Sequence, residues 1–191
     1  MKAYSVPGFT SEEELNILSD WATSVPKNGI IVEVGSLFGR SASAFADGAD
    51  PSVTIYCIDF FDNIWPGDHI DLMKSASFEK DKVYYIGSEF KKYTSEYKNI
   101  IPLTNTQAVY PYDKEEIDLF FLDASHRNPN DIKNLIYFKK FFKRGTLICG
   151  HDYINDIFPD VVKNVHFLEL AYNTKASFYE RTSLWSIRIT E

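Results

Sequence analysis

The chain has 191 residues, of which 45% are hydrophobic and 16% aromatic, and a formal net charge of −7. That composition excludes a disordered chain, and the length suits one domain over residues 1–191 with a single substantial core. The acidic balance argues against a nucleic-acid partner, and no apolar run approaches the roughly 18 residues of a membrane span.

Short basic clusters (Lys91-Lys92, Lys139-Lys140, Lys143-Arg144) read as solvated helix faces. The two cysteines, Cys57 and Cys149, lie inside apolar strand-like runs and read as small buried hydrophobes. The beginning of the chain has no charged-then-apolar secretory pattern, because Thr10-Ser11-Glu12-Glu13-Glu14 interrupts it, so the cytoplasm is the expected compartment.

In chain order, Thr10 or Ser11 caps a helix running to about residue 24, with Leu15, Leu18, Trp21 and Ala22 on one face. Pro26-Lys27-Asn28-Gly29 breaks it and closes an N-terminal helical segment over 1–28. A buried strand is predicted at 30–34, a helix from about 39 to 47, a turn at 48–51 and a second strand at 53–58. Residues 60–95 read as a variable insertion on the substrate side. It begins with a loop over 62–67, punctuated by Pro66 and Gly67, and continues with helical fragments near 70–80 and 87–97. Strands follow at 100–104 and 117–122. Asn128-Pro129 opens an amphipathic helix with Ile132, Leu135, Ile136, Phe138 and Phe142 on one side, and Gly145 ends it before a strand at 147–149. A helix near 157–170 precedes a terminal strand pair at 177–180 and 184–189. Alternating strands and helices predict an α/β fold with a parallel sheet and helices on both faces.

The first turn carries the most chemistry. In Ile30-Ile31-Val32-Glu33-Val34-Gly35-Ser36-Leu37-Phe38-Gly39-Arg40-Ser41 an apolar run holds a carboxylate near its end, passes two glycines four apart and enters a helix. A dinucleotide turn needs G-x-G-x-x-G, and here the glycine that lets a phosphate approach is missing; no G-K-[ST] follows for a P-loop. S-adenosyl-L-methionine (SAM) carries no phosphate. Glu33 is placed for its ammonium group, directly or through water, and the amides after Gly35 with the Ser41 hydroxyl are placed for its carboxylate. Asp59, at the tip of the second strand, can accept from both ribose hydroxyls. Taken alone, E-x-G-x-x-x-G also describes a plain strand-to-helix turn. Asp59 tips the reading towards a nucleoside cofactor.

With these residues the chain resembles the class I SAM-dependent methyltransferases, and more narrowly the small methyltransferase-domain families related to macrocin-type and catechol-type O-methyltransferases. Three further stretches carry the resemblance, which spans about residues 29–155: Cys57-Ile58-Asp59-Phe60-Phe61, Phe121-Leu122-Asp123-Ala124-Ser125-His126, and Gly145-Thr146-Leu147-Ile148-Cys149-Gly150-His151-Asp152-Tyr153. It implies a Rossmann-like, doubly wound, mostly parallel seven-stranded sheet with an antiparallel C-terminal strand. It also implies that Glu33, Gly35, Ser36, Gly39 and Ser41 hold the methionine end, that Asp59 and Phe60 serve the ribose side, and that Thr106 and Gln107 contact adenine.

Methyl transfer from a sulfonium needs an aligned lone pair and removal of a proton from a hydroxyl nucleophile. Asp123 ends the fourth strand at the mouth of the sheet, and His126 follows on the same loop, where the catechol-type relatives place a lysine base. These two are the candidate catalytic residues, His126 as a neutral base and Asp123 also touching the cofactor. Asp123, Asp152 and His151 are candidate ligands of one divalent cation, Mg²⁺ or Mn²⁺. Phe61, Trp65, His69 and Tyr153 are candidate walls of an acceptor pocket suited to sugar rings and phenols. The expected reaction is O-methylation of a small molecule or sugar unit. A NAD-type oxidoreductase on a similar sheet, or a non-catalytic domain keeping the fold, are the competing readings. Exposed aromatics would allow a homodimer.

Overall fold

Ser11 opens the first helix with a capping box: its hydroxyl accepts from the Glu14 amide at 3.2 Å while the Glu14 carboxylate accepts from the Ser11 amide at 2.8 Å. Before it lies a 3₁₀ turn, Lys2–Ser5. The computed structural model describes residues 1–66, 83–104 and 116–190, with the side chains of Trp65 and Pro66 excepted. The helix expected near 70–80 lies outside the described residues, as do His69, Thr106 and Gln107.

In chain order the elements are α1 (Glu12–Thr23), β1 (Ile30–Val34), α2 (Arg40–Gly48), β2 (Thr54–Asp59), β3 (Ile64–Pro66), β4 (Val83–Tyr85) and α3 (Ile86–Thr94). They continue with β5 (Ile100–Thr104), β6 (Ile117–Leu122), α4 (Asn130–Phe138), β7 (Phe142–Gly150), α5 (Pro159–Ala171), β8 (Ser177–Phe178) and β9 (Trp185–Arg188). The main sheet has seven strands in the order β5-β2-β1-β6-β7-β9-β8. The first five are parallel and β9 runs antiparallel to both its neighbours. Chain order departs in opposite directions from β1, so a crevice opens at the carboxyl ends of β1 and β6.

β1 is buried at all five positions, as a central parallel strand must be. Its period of two sends Ile31 to the face covered by α1 and α2, with Leu15, Leu18, Phe45 and Phe121. Val32 and Val34 go to the opposite face, covered by Leu135 and Phe138 of α4 and Val165 of α5. Among the described residues no helix is long and apolar enough to cross a membrane.

Two expectations are corrected. The segment read as a loop over 62–67 contains β3, which pairs antiparallel with β4 through Ile64↔Tyr85, Trp65↔Tyr84 and Pro66↔Val83. The pair is a separate two-stranded ribbon, where every strand is an edge and a proline is tolerated. Gly145 does not end a helix either. α4 stops at Phe138, a 3₁₀ turn over Lys139–Phe141 redirects the chain, and Phe142 already belongs to β7. Gly145, at φ +93°, sits where the register with β6 shifts between Ile117 and Leu119, so its left-handed backbone absorbs a bulge inside the strand.

Candidate cofactor and active site

A cavity of about 660 Å³ opens over the carboxyl ends of β1, β2, β6 and β7. Its floor is the turn after β1. Gly35 has φ +96°, and a Cβ there would stand 1.8 Å from the Asp123 carbonyl oxygen, so only glycine lets the ends of β1 and β6 approach this closely. Leu37 follows with φ 44°, and its amide donates to Asp59 Oδ2 at 2.7 Å. The Phe60 amide donates to Asp59 Oδ1 at 2.6 Å. Burial raises the Asp59 carboxyl above its usual range, and these amides oppose that rise. A carboxylate has about four acceptor sites, so Asp59 keeps capacity for a ligand.

Gly35, Ser36, Ser41, Asp59 and Phe60 line the cavity. Glu33 and Gly39 do not. Glu33 points from β1 beneath the turn, fully buried, where it accepts the hydroxyls of Ser36, at 2.5 Å, and Ser41. Burial pushes its carboxyl up to about 7, against the pull of both hydroxyls. Of the two contacts expected for Glu33, direct or through water, the direct one does not fit, because the serines stand between it and the cavity. Gly39 instead caps α2, its amide donating to the Ser36 carbonyl at 2.7 Å.

At the β6 and β7 side, titratable groups gather. His126 and Asp152 both adopt left-handed backbone (φ 56° and 61°), uncommon for non-glycine residues and typical of functional sites. His126 Nε2 lies 2.9 Å from Asp123 Oδ1 and 3.1 Å from Asp152 Oδ2, with Phe158 packed on its ring at 4.8 Å between centroids. Burial would lower the His126 pKa, but the hydrogen bond and charge of Asp123 and the charge of Asp152 outweigh it and raise it above the ordinary 6.5. His126 therefore holds its proton more firmly than a free histidine.

His151 is buried, with Nδ1 3.3 Å from Asp152 Oδ1 and 4.0 Å from Asp123 Oδ2. Its Nε2 is 3.1 Å from Glu14 Oε1, an ion-pair contact poorly aligned as a hydrogen bond. Burial opposes its charge, yet these carboxylates raise its pKa well above the usual value. One ligand atom each from Asp123, His126 and Asp152 lies within 4.8 Å of the others, which makes those three the candidate cation ligands. His151, expected in that set, is replaced by His126 because its ring is turned between Glu14 and Asp152.

The expected acceptor walls fare unevenly. Phe61 packs into the core on Phe90 at 4.7 Å, and Tyr153 on Phe178 at 4.4 Å; neither lines the cavity. His69 and the Trp65 side chain lie outside the described residues. Sequence reasoning missed Glu14, Arg40, Asn134, Phe158 and the segment over 7–10, all but Glu14 lining the cavity. Arg40 donates to the carbonyls of Thr10 at 2.8 Å, Tyr4 at 3.2 Å, Ala3 at 3.3 Å and Val6, and so fastens the N-terminal segment as a wall. A capping-box glutamate and an arginine at a helix start carry no sequence signal beyond their local roles. Asn134 is 5% exposed and lines the cavity.

Residues 32–153 match the family model described as a methyltransferase domain. No curated protein matches the sequence. Among solved structures, CalS11, a TDP-rhamnose 3′-O-methyltransferase of calicheamicin biosynthesis, is similar with a TM-score of 0.64 at 15% identity, over 93% of this chain and 77% of that one. TomG from Streptomyces achromogenes, an O-methyltransferase in complex with SAM, gives 0.64 at 12% identity over 95% and 82%. The O-methyltransferase from Bacillus cereus in complex with SAH gives 0.58 at 17% over 96% and 84%. At these identities the likeness is one of fold. The family match takes in most of the chain, from β1 to just beyond β7, and the chain accordingly belongs to the methyltransferase-domain family.

Proposed function

We propose that the protein transfers a methyl group from SAM to a hydroxyl of a small molecule or sugar unit. The observation that carries this reading is continuity. One cavity joins the Gly35 turn and Asp59, which suit a nucleoside with an amino-acid tail, to Asp123, His126 and Asp152, which suit a hydroxyl nucleophile. SAM, when bound, supplies an electrophilic methyl group on a sulfonium.

The residues present fit that cofactor. Ser36, Leu37 and Ser41 line the space where the methionine end would lie, and the Asp59 carboxylate is the acceptor for a ribose diol. Glu33 acts one layer down by orienting the two serines. Asp123, Asp152 and His126 are the residues that would hold a divalent cation, Mg²⁺ or Mn²⁺, which would lower the pKa of a hydroxyl and orient it. Without a cation, His126, whose Nε2 is held by Asp123 and Asp152, is the base the site offers for the hydroxyl proton. Both roles require His126 to lose the proton that Asp123 and Asp152 favour.

A hydroxylated acceptor is supported by the polar groups of Asn134 and Ser125 beside the aromatic Phe158 on the cavity wall, and by the sugar acceptor named for the structural relative CalS11. The test is to incubate the protein with SAM and a panel of phenols and sugar nucleotides, following release of S-adenosylhomocysteine and locating the methyl group by NMR. Turnover should occur with hydroxylated acceptors and place the methyl on oxygen. A methyl group found on nitrogen or carbon would contradict the assignment.

A further inference from the structure

We propose that Glu14, on the N-terminal helix, is a positioning residue of the active site: through His151 and Ser183 it sets the orientation of Asp152 and Asp123. The inference rests on the reading above only in taking those two aspartates as site residues.

Glu14 belongs to the first turn of α1, yet its side chain is 8% exposed. One carboxylate joins its own helix cap to two distant segments. Oε2 accepts from the Ser11 amide at 2.8 Å and hydroxyl at 2.9 Å, Oε1 accepts from the Ser183 amide at 3.0 Å and hydroxyl at 3.3 Å, and the same Oε1 is 3.1 Å from His151 Nε2.

Two routes lead from it to Asp152. The first runs through the imidazole, whose other nitrogen faces Asp152 Oδ1 at 3.3 Å and Asp123 Oδ2 at 4.0 Å. Each aspartate then has its remaining oxygen turned to His126. The second runs through Ser183, whose hydroxyl accepts from the Asp152 amide at 3.2 Å and whose carbonyl accepts from the Tyr153 amide at 2.9 Å. Those bonds hold Asp152 in a left-handed conformation that a non-glycine residue does not adopt unaided. Without the Glu14 charge, the described residues leave the Nε2 side of the ring with no ionic partner, and a half-turn of the ring exchanges nitrogen for carbon opposite Asp152.

A capping box accepts glutamine as well as glutamate, so Glu14→Gln can keep the cap through its carbonyl oxygen, while its NH₂ group replaces the oxygen that accepts from Ser183 and faces His151. In the full chain this variant should melt within a few degrees of the parent and bind S-adenosylhomocysteine as the parent does. Its His151 ring ¹⁵N signals should move, and its affinity for Mn²⁺ alone should fall about tenfold, the scale of outer-shell effects on metal sites. Ser183→Ala, which cuts the second route and leaves the cap alone, should move the Asp152 amide signal and stands in if the first variant fails to fold. His151 and Asp152 signals unchanged in the folded variants would overturn the proposal. If the parent takes up no Mn²⁺, the cation part of the proposed function fails, and the ring spectrum still decides the role of Glu14.

Discussion

Glu33 is a carboxyl group held inside the protein by two serine hydroxyls, and its ionisation has a measurable cost. Burial moves it from an ordinary 4.5 to about 7 in the folded chain. Between those values the folded state binds more protons than the unfolded one, so stability falls as pH rises, and the penalty is complete above about 7. Glu33→Gln, which keeps a hydrogen-bonding partner for Ser36 and Ser41, should therefore gain on the parent between pH 4.5 and 7, by up to about 3 kcal/mol, with no further gain above pH 8. Denaturant melts of both proteins across that range check it; a difference that does not depend on pH would contradict the burial account. His126 makes the opposite kind of demand. Its pKa is raised, and either proposed role needs the neutral ring, so turnover should climb with pH through and above the ordinary histidine range. A pH–rate profile flat from 6 to 9 would remove His126 from the rate-determining step. At this scale the sequence was legible where a residue type and its strand position coincide: Asp59, Asp123, His126 and Asp152 all reach the cavity. It was misleading at Glu33, because the period of two that makes a strand also decides which layer its carboxylate enters.

Among the elements, the N-terminal segment has the least visible function in the sequence. Its helix is announced by S-x-x-E and an apolar stripe at helical spacing, and α1 forms over nearly the expected residues. What precedes that helix matters as much, since residues 7–10 wall the cavity and Arg40 holds them through backbone carbonyls. Such bonds are made to the chain and not to side chains, which is why no residue pattern betrays them. Arg40→Met should leave those carbonyls unpaired, destabilise the protein by at least about 2 kcal/mol, and expose the segment before α1 to limited proteolysis. Cleavage there at the parent rate would show that the segment is held by other contacts. The strand ends that build the site, β1, β2 and β6, form within a residue of expectation because apolar runs bounded by turn residues specify buried strands well. The start of β7 did not, since Phe142 continues a helical spacing while belonging to a strand.

For the whole molecule, the order β5-β2-β1-β6-β7-β9-β8 accounts for why the cofactor-side and acceptor-side residues share one crevice although Gly35 and Asp152 are far apart in sequence. β1 and β6 are neighbours, the Gly35 turn lies against the Asp123 carbonyl, and β7 brings His151 and Asp152 beside it. Alternating strands and helices announced the parallel sheet. The gathering of His126 with Asp152, and of Glu14 with His151, was not legible, because it depends on side-chain direction across segments with no shared pattern. The central claim is that this crevice receives the SAM nucleoside, and calorimetric titration of the full chain with S-adenosylhomocysteine tests it most directly. The account predicts saturable binding at one site per chain, with the heat abolished by Asp59→Ala. Absence of heat from the parent protein at high ligand concentration, or undiminished binding by the Asp59 variant, would contradict it.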